Sequence, residues 1–308
     1  MLLHSAPAIA ETTLRIGHFP NITHIQALVA HNFSRQGKGW FEQRLGSDIK
    51  IEWYIYNAGP SAMEGMFAKS IDLAYVGPNP AINAYAKSDG REVRIIAGSV
   101  NGGSALVVQG DSTLKTAAEF RGKKIATPQF GNTQDVAARA WLVAGGLTIR
   151  QTGGDAQVLP TPNPDQLLLF RQKQIDAVWA VEPWISRLEQ EAGGKILIDD
   201  RNAITTVLVS RTDFLSSQRT LVKNFVAAHR DLTEWIKTHP DDAQRMAREE
   251  LDAELRAKFS PELVASAWKR VVLTSDVSLD ALKTFVSSAR SVGFLRDAPD
   301  ISRLVEAP

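Results

Sequence analysis

At 308 residues the chain has room for two domains with separate cores. A composition of 44% hydrophobic and 22% charged residues is that of an ordinary globular protein, which excludes disordered and fibrous classes. Its 35 basic and 34 acidic residues leave a formal net charge of +1, so no bulk bias draws it to nucleic acid or to an anionic membrane surface. With no cysteine, disulfides, thiolate nucleophiles, iron–sulfur clusters and cysteine-ligated zinc drop out together.

Residues 1–10 end in Ala8-Ile9-Ala10 before Glu11, a small-residue pattern that fits a cleavage site although only Leu2 and Leu3 form an apolar run before it. They are predicted to be a signal-peptide remnant or an unstructured leader. No run of about 18 apolar residues occurs, so no membrane span is predicted. A strand over 14–19 leads through Pro20-Asn21 into a helix that Asn21 or Thr23 would cap. The β-formers of 49–55 give a second strand, and Ser61-Ala62-Met63-Glu64 reads as a capping box opening a helix near Ser61. Strands follow at 93–98 and 104–108, with Asp111-Ser112 as the expected crossover.

A second half-pattern then occupies 114–200. It comprises a helix from Thr116, a strand at 124–127, and a helix opened by Gly131-Asn132-Thr133-Gln134-Asp135. A strand near 157–159, a helix from Asp165 and another strand complete it. The run 205–210 reads as the return crossover, and the remainder is mainly helical, with Ser260 and Ser278 as caps and Gly293 as a stop. The predicted division is therefore 11–109 with 206–308 as a discontinuous first lobe and 110–205 as an inserted second lobe.

The two halves echo one another. Ile71-Asp72-Leu73-Ala74-Tyr75-Val76-Gly77-Pro78-Asn79-Pro80 is matched by Ile175-Asp176-Ala177-Val178-Trp179-Ala180-Val181-Glu182-Pro183-Trp184. Each reads as a buried parallel strand ending in a loop, where ligands of open α/β sheets bind. Tyr75 and Trp179 hold matching positions, and either is a candidate apolar wall or core residue.

Several chemistries lack their signatures. Gly122-Lys123-Lys124 has neither the earlier glycine nor the Ser/Thr of a phosphate loop, and Leu106 replaces the glycine that would make Ser104 a nucleophile elbow. The six histidines show no metal spacing, and His18 reads as a packed strand-end residue without a nearby carboxylate. What is left is a set of small polar turns at strand ends. These contain Asn21, Ser61, Asn79, Gly103 with Ser104, and Asn132, Thr133 and Gln134. Helix amino ends supply free N–H donors and partial positive charge, so several converging on one cleft would hold an oxyanion without arginine or lysine. Taken singly, each such Ser, Thr or Asn is better read as the cap of its own helix; the convergence carries the binding reading. Glu182 would accept a bond from an amine-bearing ligand or hold a neighbouring loop; the second is favoured, because a buried carboxylate opposes anion binding.

The stretches Arg15-Ile16-Gly17-His18-Phe19-Pro20-Asn21, Asn57-Ala58-Gly59-Pro60-Ser61, Val76-Gly77-Pro78-Asn79-Pro80-Ala81, Gly131-Asn132-Thr133-Gln134-Asp135 and Val181-Glu182-Pro183-Trp184 resemble one known class. It is the substrate-binding proteins of ABC importers that serve nitrate, sulfonate and taurine, most closely the aliphatic sulfonate binders. The resemblance covers 14–295 and implies a type II periplasmic binding protein fold, with two α/β lobes joined by two crossover segments around a ligand cleft. It further implies a monomeric periplasmic protein that needs no cofactor, metal or nucleic acid. Such a protein captures an organic oxyanion, an aliphatic sulfonate first, and delivers it to a membrane permease driven by a separate ATPase. Carried over by motif, ligand contacts would come from Asn21, Ser61, Asn79, Gly103, Thr133 and Trp179, with Glu182 as a further candidate. Nitrate, taurine, sulfate esters and aromatic acids need the same donors and stay open as ligands. The rival reading is an enzyme on the same fold, of the thiamine-pyrimidine or menaquinone pathway type. The absence of cysteine argues against the first, whose known form carries a cysteine-rich motif. One departure stands out: only Asn202-Ala203-Ile204 links the 198–201 strand end to Thr205, a shorter loop than the class carries, which leaves ligand size open.

Overall fold

The computed structural model of the protein describes residues 11–151 and 153–308, so the predicted leader lies outside the described residues. In chain order the first lobe contains β1 (Thr12–His18), α1 (Ile25–Arg35), α2 (Glu42–Leu45), β2 (Ile49–Ile55), α3 (Gly59–Phe67), β3 (Leu73–Val76), α4 (Pro78–Lys87) and β4 (Val93–Gly102). The second contains β5 (Ser104–Val108), β6 (Lys124–Thr127), α5 (Thr133–Ala144), β7 (Gln157–Pro160), α6 (Asn163–Arg171), β8 (Ala177–Val181), α7 (Trp184–Ala192) and β9 (Lys195–Asp199). The chain returns to the first lobe with β10 (Ile204–Arg211), α8 (Thr212–Ser217), α9 (Arg219–Thr238), α10 (Pro240–Leu255), α11 (Pro261–Trp268), β11 (Val271–Leu273) and α12 (Leu279–Ser291).

The strand orders are β11-β4-β10-β3-β1-β2 and β7-β6-β8-β5-β9. In each sheet three parallel strands adjoin a strand that runs antiparallel to them. Both sheets are covered on both faces, which explains why their strands read as continuous apolar runs. Leu73 and Tyr75 of β3 face the core under α1, α9 and α10, while Ala74 and Val76 face the one under α3, α4 and α12. β5 alternates likewise, with Ala105 and Val107 in one cluster and Leu106 and Val108 in the other.

The repeated Ile-Asp has a common structural reason. Asp72 Oδ2 accepts the backbone N–H of Arg15 at 2.9 Å, and Asp176 Oδ2 accepts that of Lys124, also at 2.9 Å. In both lobes the aspartate before one strand thus tethers the neighbouring parallel strand, β1 in the first and β6 in the second. Asp72 is additionally paired with Arg15 and Arg211.

Three local expectations change. Ser104–Val108 pairs with β8 and β9, so it belongs to the second sheet, and the chain crosses between lobes at Gly102-Gly103 rather than near Asp111. The reason is that β4 ends at a pair of glycines with φ of +70° and +67°, a left-handed turn that redirects the chain at once. α3 starts at Gly59 with Ala58 as its cap, and Ser61 Oγ donates back to the Ala58 carbonyl instead of forming a capping box. A box does form at Thr116 with Glu119, but it opens only a 3-10 turn over Ala117–Phe120. Ser260 and Ser278 cap α11 and α12 as predicted.

Candidate functional site

Residues that end or follow strands β1, β2, β3, β6, β7 and β8 converge on one small chamber between the lobes. The first lobe contributes Phe19, Asn21, Thr23, His24, Asn57, Gly59 and Gly77; the second contributes Pro128, Asn132, Thr133, Gln134, Asn163 and Val181. The chamber measures about 20 Å³, room for little more than one water centre. An interlobe contact lies in its wall, where Asn57 Nδ2 donates to the Pro128 carbonyl at 3.2 Å; outside the chamber the Phe130 and Phe294 rings also meet across the lobes, 4.9 Å apart.

Among the described residues no carboxylate, lysine or arginine lines this chamber. Its polarity comes from neutral groups. Thr133 and Gln134 are the first two residues of α5, so their backbone N–H groups have no intrahelical acceptor, while Asn132 caps the helix by accepting from Asp135 N–H at 2.8 Å. Gly59 likewise opens α3. Thr133 Oγ1 is buried without a hydrogen-bond partner. Asn21 is the residue before a 3-10 turn yet its side chain caps nothing; Oδ1 accepts from Trp184 Nε1 of the other lobe at 3.0 Å, which leaves the amide NH₂ for other use. Burial, reinforced by nearby His18, pushes the His24 imidazole well below its ordinary pKa, so it is neutral at pH 7. Phe19 N–H points at its Nδ1 from 3.4 Å, which puts the proton on Nε2.

Beside the chamber runs a larger groove of about 540 Å³, and Thr133, Gln134 and Thr205 line both. Asn79, Ser104 and Trp179 face this groove rather than the chamber. Ser104 Oγ accepts from Gln134 Nε2 at 3.3 Å, and Asn79 Nδ2 donates to the Phe285 carbonyl at 3.3 Å. Of the residues singled out in the sequence, Asn21, Asn132, Thr133 and Gln134 therefore share the chamber, and Asn79, Ser104 and Trp179 extend from it. Ser61 stands at the rim near Gln129, and Gly103 forms the hinge. Gly77 is a glycine because a Cβ there would lie 2.3 Å from Thr133 Oγ1: the close approach at this loop is made by the opposite lobe.

Glu182 lines neither space. Its carboxylate is fully buried, with Oε2 accepting Ser186 N–H at 3.1 Å and Oε1 accepting Ser186 Oγ at 3.1 Å and Arg270 Nη1 at 2.8 Å. Arg270, in the first lobe, also donates to Glu189 at 2.7 Å. Burial raises the Glu182 pKa, against the lowering influence of Ser186 and Arg270. These contacts make it an interlobe fastener, and the placement among ligand contacts gives way to the loop-holding role.

Residues 8–249 match the model of the NMT1-like family. The chain belongs to the NMT1-like family. Over 155 residues it is 29% identical to the putative aliphatic sulfonates-binding protein of Escherichia coli (strain K12), a match spanning 49% of this chain and 46% of that protein, so about half of the relative's length. Its fold matches the alkanesulfonate-binding protein SsuA from Xanthomonas axonopodis pv. citri bound to MOPS, with a TM-score of 0.78 at 20% identity over 97% of this chain and 100% of that one. The periplasmic nitrate-binding protein NrtA from Synechocystis PCC 6803 superposes with a TM-score of 0.73 at 16% identity, covering 94% and 84%. The fold is thus the periplasmic binding protein fold, two α/β lobes joined by two crossovers around a cleft.

In this NMT1-like chain the strand-end residues outside the cleft are equally informative. Tyr75 is fully buried and its hydroxyl lies 2.9 Å from His229 Nδ1; it is core, unlike its counterpart Trp179. His18 is packed as expected but does have a carboxylate. Glu254, 236 residues away, lies 2.6 Å from its Nε2, and His31 Nδ1 is 2.9 Å from both Glu254 and Glu250. The ligating atoms of His18, His31 and Glu254 lie within 4.8 Å of one another, a metal-like grouping that the histidine spacing does not betray. In this structure they are bonded to one another, and Arg35 adds a further positive charge at 2.8 Å from Glu250. Burial lowers the His31 pKa, but its bonds to Glu250 and Glu254 outweigh this and raise it; contact with His18 first, and with His31 after it, holds Glu254 well below the ordinary carboxylate value despite its burial.

His24, Asn163 and Thr205 are chamber residues that the sequence reading passes over. One signal was available for Asn163. Pro162-Asn163-Pro164 repeats the Pro78-Asn79-Pro80 spelling at the start of a helix, and the two asparagines share a buried, unpartnered Oδ1.

Proposed function

We propose that this chain is a solute-binding protein that captures a small oxyanion, an organic sulfonate, and carries out no reaction on it. The observation that carries the reading is a chamber walled by both lobes, furnished with neutral donors and, among the described residues, free of lysine, arginine and carboxylate side chains. An anion transferred into a site of low dielectric needs donors directed at it, and the free N–H groups of Thr133, Gln134 and Gly59 supply them along with the helix dipoles. A lysine or arginine is not required, and the absence of a carboxylate avoids repulsion. Contacts from both lobes to one ligand favour the closed arrangement by differential affinity. On this reading the closed protein is what a membrane permease with its separate ATPase receives, and the protein acts as a periplasmic monomer. The E. coli relative and the SsuA and NrtA folds support the anion class.

Thermal-shift screening with methanesulfonate, taurine, nitrate and sulfate tests the reading, since a ligand specific for the native state raises the melting temperature. Stabilisation by a sulfonate is the expected result. Stabilisation by none of these anions, or conversion of the bound compound seen by mass spectrometry, would overturn it.

A further inference from the structure

The chamber and the groove together ask for an amphiphile. The chamber admits only a compact polar head, whereas the adjoining groove, at about 540 Å³, lies within the usual volume range of pockets for whole organic ligands. Thr133, Gln134 and Thr205 form the waist that both share. Beyond the waist the larger part of the wall is apolar and aromatic: Trp141 and Trp179 meet edge to face at 6.3 Å, and Phe285, Ile198, Ala140 and Ala281 extend it, with Ser104, Thr284 and Ser288 among the polar groups between them. None of these six apolar residues is fully buried, so the groove leaves apolar surface uncovered inside the cleft. The one acidic side chain of the lining among the described residues, Asp200, is turned into its own loop, where Oδ1 accepts the N–H groups of Asn202 and Ala203. Two polar atoms of the lining, Thr133 Oγ1 at the waist and Asn79 Oδ1 in the groove, are buried without partners. The short 201–205 segment bounds this groove through Asn202, Ala203 and Ile204.

Resting on the sulfonate reading above, we propose that the site selects an arenesulfonate: the sulfonate in the chamber, and the ring system past Thr133 and Thr205 against Trp141, Trp179 and Phe285. Aromatic walls favour a flat ring over a flexible chain, because offset and edge contacts add to area burial and no chain entropy is lost. The lone carboxylate at the groove disfavours a second anionic group on the tail.

The test is isothermal calorimetry on the full chain with methanesulfonate, 1-octanesulfonate and naphthalene-1-sulfonate, repeated on Ala140→Trp, which fills the groove without reaching the chamber. Naphthalene-1-sulfonate is expected to bind at least about tenfold more tightly than methanesulfonate, as burial of a ring system implies. In Ala140→Trp that advantage should collapse while methanesulfonate affinity is unchanged. Trp179→Ala, which removes a wall instead of filling the space, should also reduce it, and serves if Ala140→Trp does not fold. Equal affinity for methanesulfonate and naphthalene-1-sulfonate would overturn the tail assignment and leave the head assignment standing. Tighter binding of the octyl compound than of the naphthyl one would overturn the aromatic preference, and failure of all three to bind would overturn the sulfonate reading itself.

Discussion

Replacing Arg270 by methionine keeps much of the side chain's length and removes its charge, which leaves Glu182 as a buried carboxylate bonded only to Ser186. Breaking a buried ion pair from one side costs about 3–5 kcal/mol, and about 3 is the better figure here because Arg270 keeps some exposure and solvent screening. Its second bond, to Glu189, is more exposed and adds little. The sign of the pH dependence follows from burial. Burial already holds the Glu182 pKa above the ordinary glutamate value, and without Arg270 it shifts further up. A raised carboxyl pKa contributes stability below the unfolded value and loses it as pH rises through the folded one. The penalty of Arg270→Met should therefore be near full at pH 7.5 and shrink towards pH 4.5, where Glu182 takes up a proton. Urea unfolding of wild type, Arg270→Met, Glu182→Gln and the double variant at both pH values measures it, with the coupling read from the cycle. A penalty under about 1 kcal/mol at pH 7.5, or one independent of pH, would refute the view that this pair fastens the lobes.

Three further outcomes are expected. Thr133→Ala should weaken sulfonate binding roughly tenfold or more in calorimetry, as loss of a hydrogen bond to a charged ligand implies, with an unchanged circular dichroism spectrum; unaltered affinity would remove this hydroxyl from the site. Gly103→Ala should cost about 2 kcal/mol or more, because φ is +67° and the new Cβ would lie 2.8 Å from Val271 and 2.9 Å from Thr23. A melting temperature equal to wild type would mean that the hinge tolerates a side chain. His31→Gln should lower stability most between the ordinary values of 4.5 for glutamate and 6.5 for histidine, where both ends of the pair are charged. The deficit fades as pH rises through the raised His31 pKa and as it falls towards the depressed Glu254 pKa; urea midpoints across pH 3–9 would show it, and a flat difference would disprove it.

How far the sequence carries depends on the range of the forces involved. Its local patterns determined the two-lobed α/β organisation, because apolar runs buried on both faces, turn residues and caps act within a few positions. The β2 and β6 strands, the α5 opening at Asn132 and the caps at Ser260 and Ser278 were legible for that reason. The crossover was misplaced because Gly102 and Gly103 declare a turn but not which sheet the next strand will join; that is decided by pairing of β5 with β8 and β9, some 70 to 90 residues on. The strand-end turns pointed to a cleft, yet only packing separated Thr133 and Asn21 in the chamber from Trp179 in the groove, Tyr75 in the core and Glu182 in the interlobe pair. Identical local spellings met different neighbours across the lobes, and it is distance in space, invisible along the chain, that determines which polar atom is left free for a ligand.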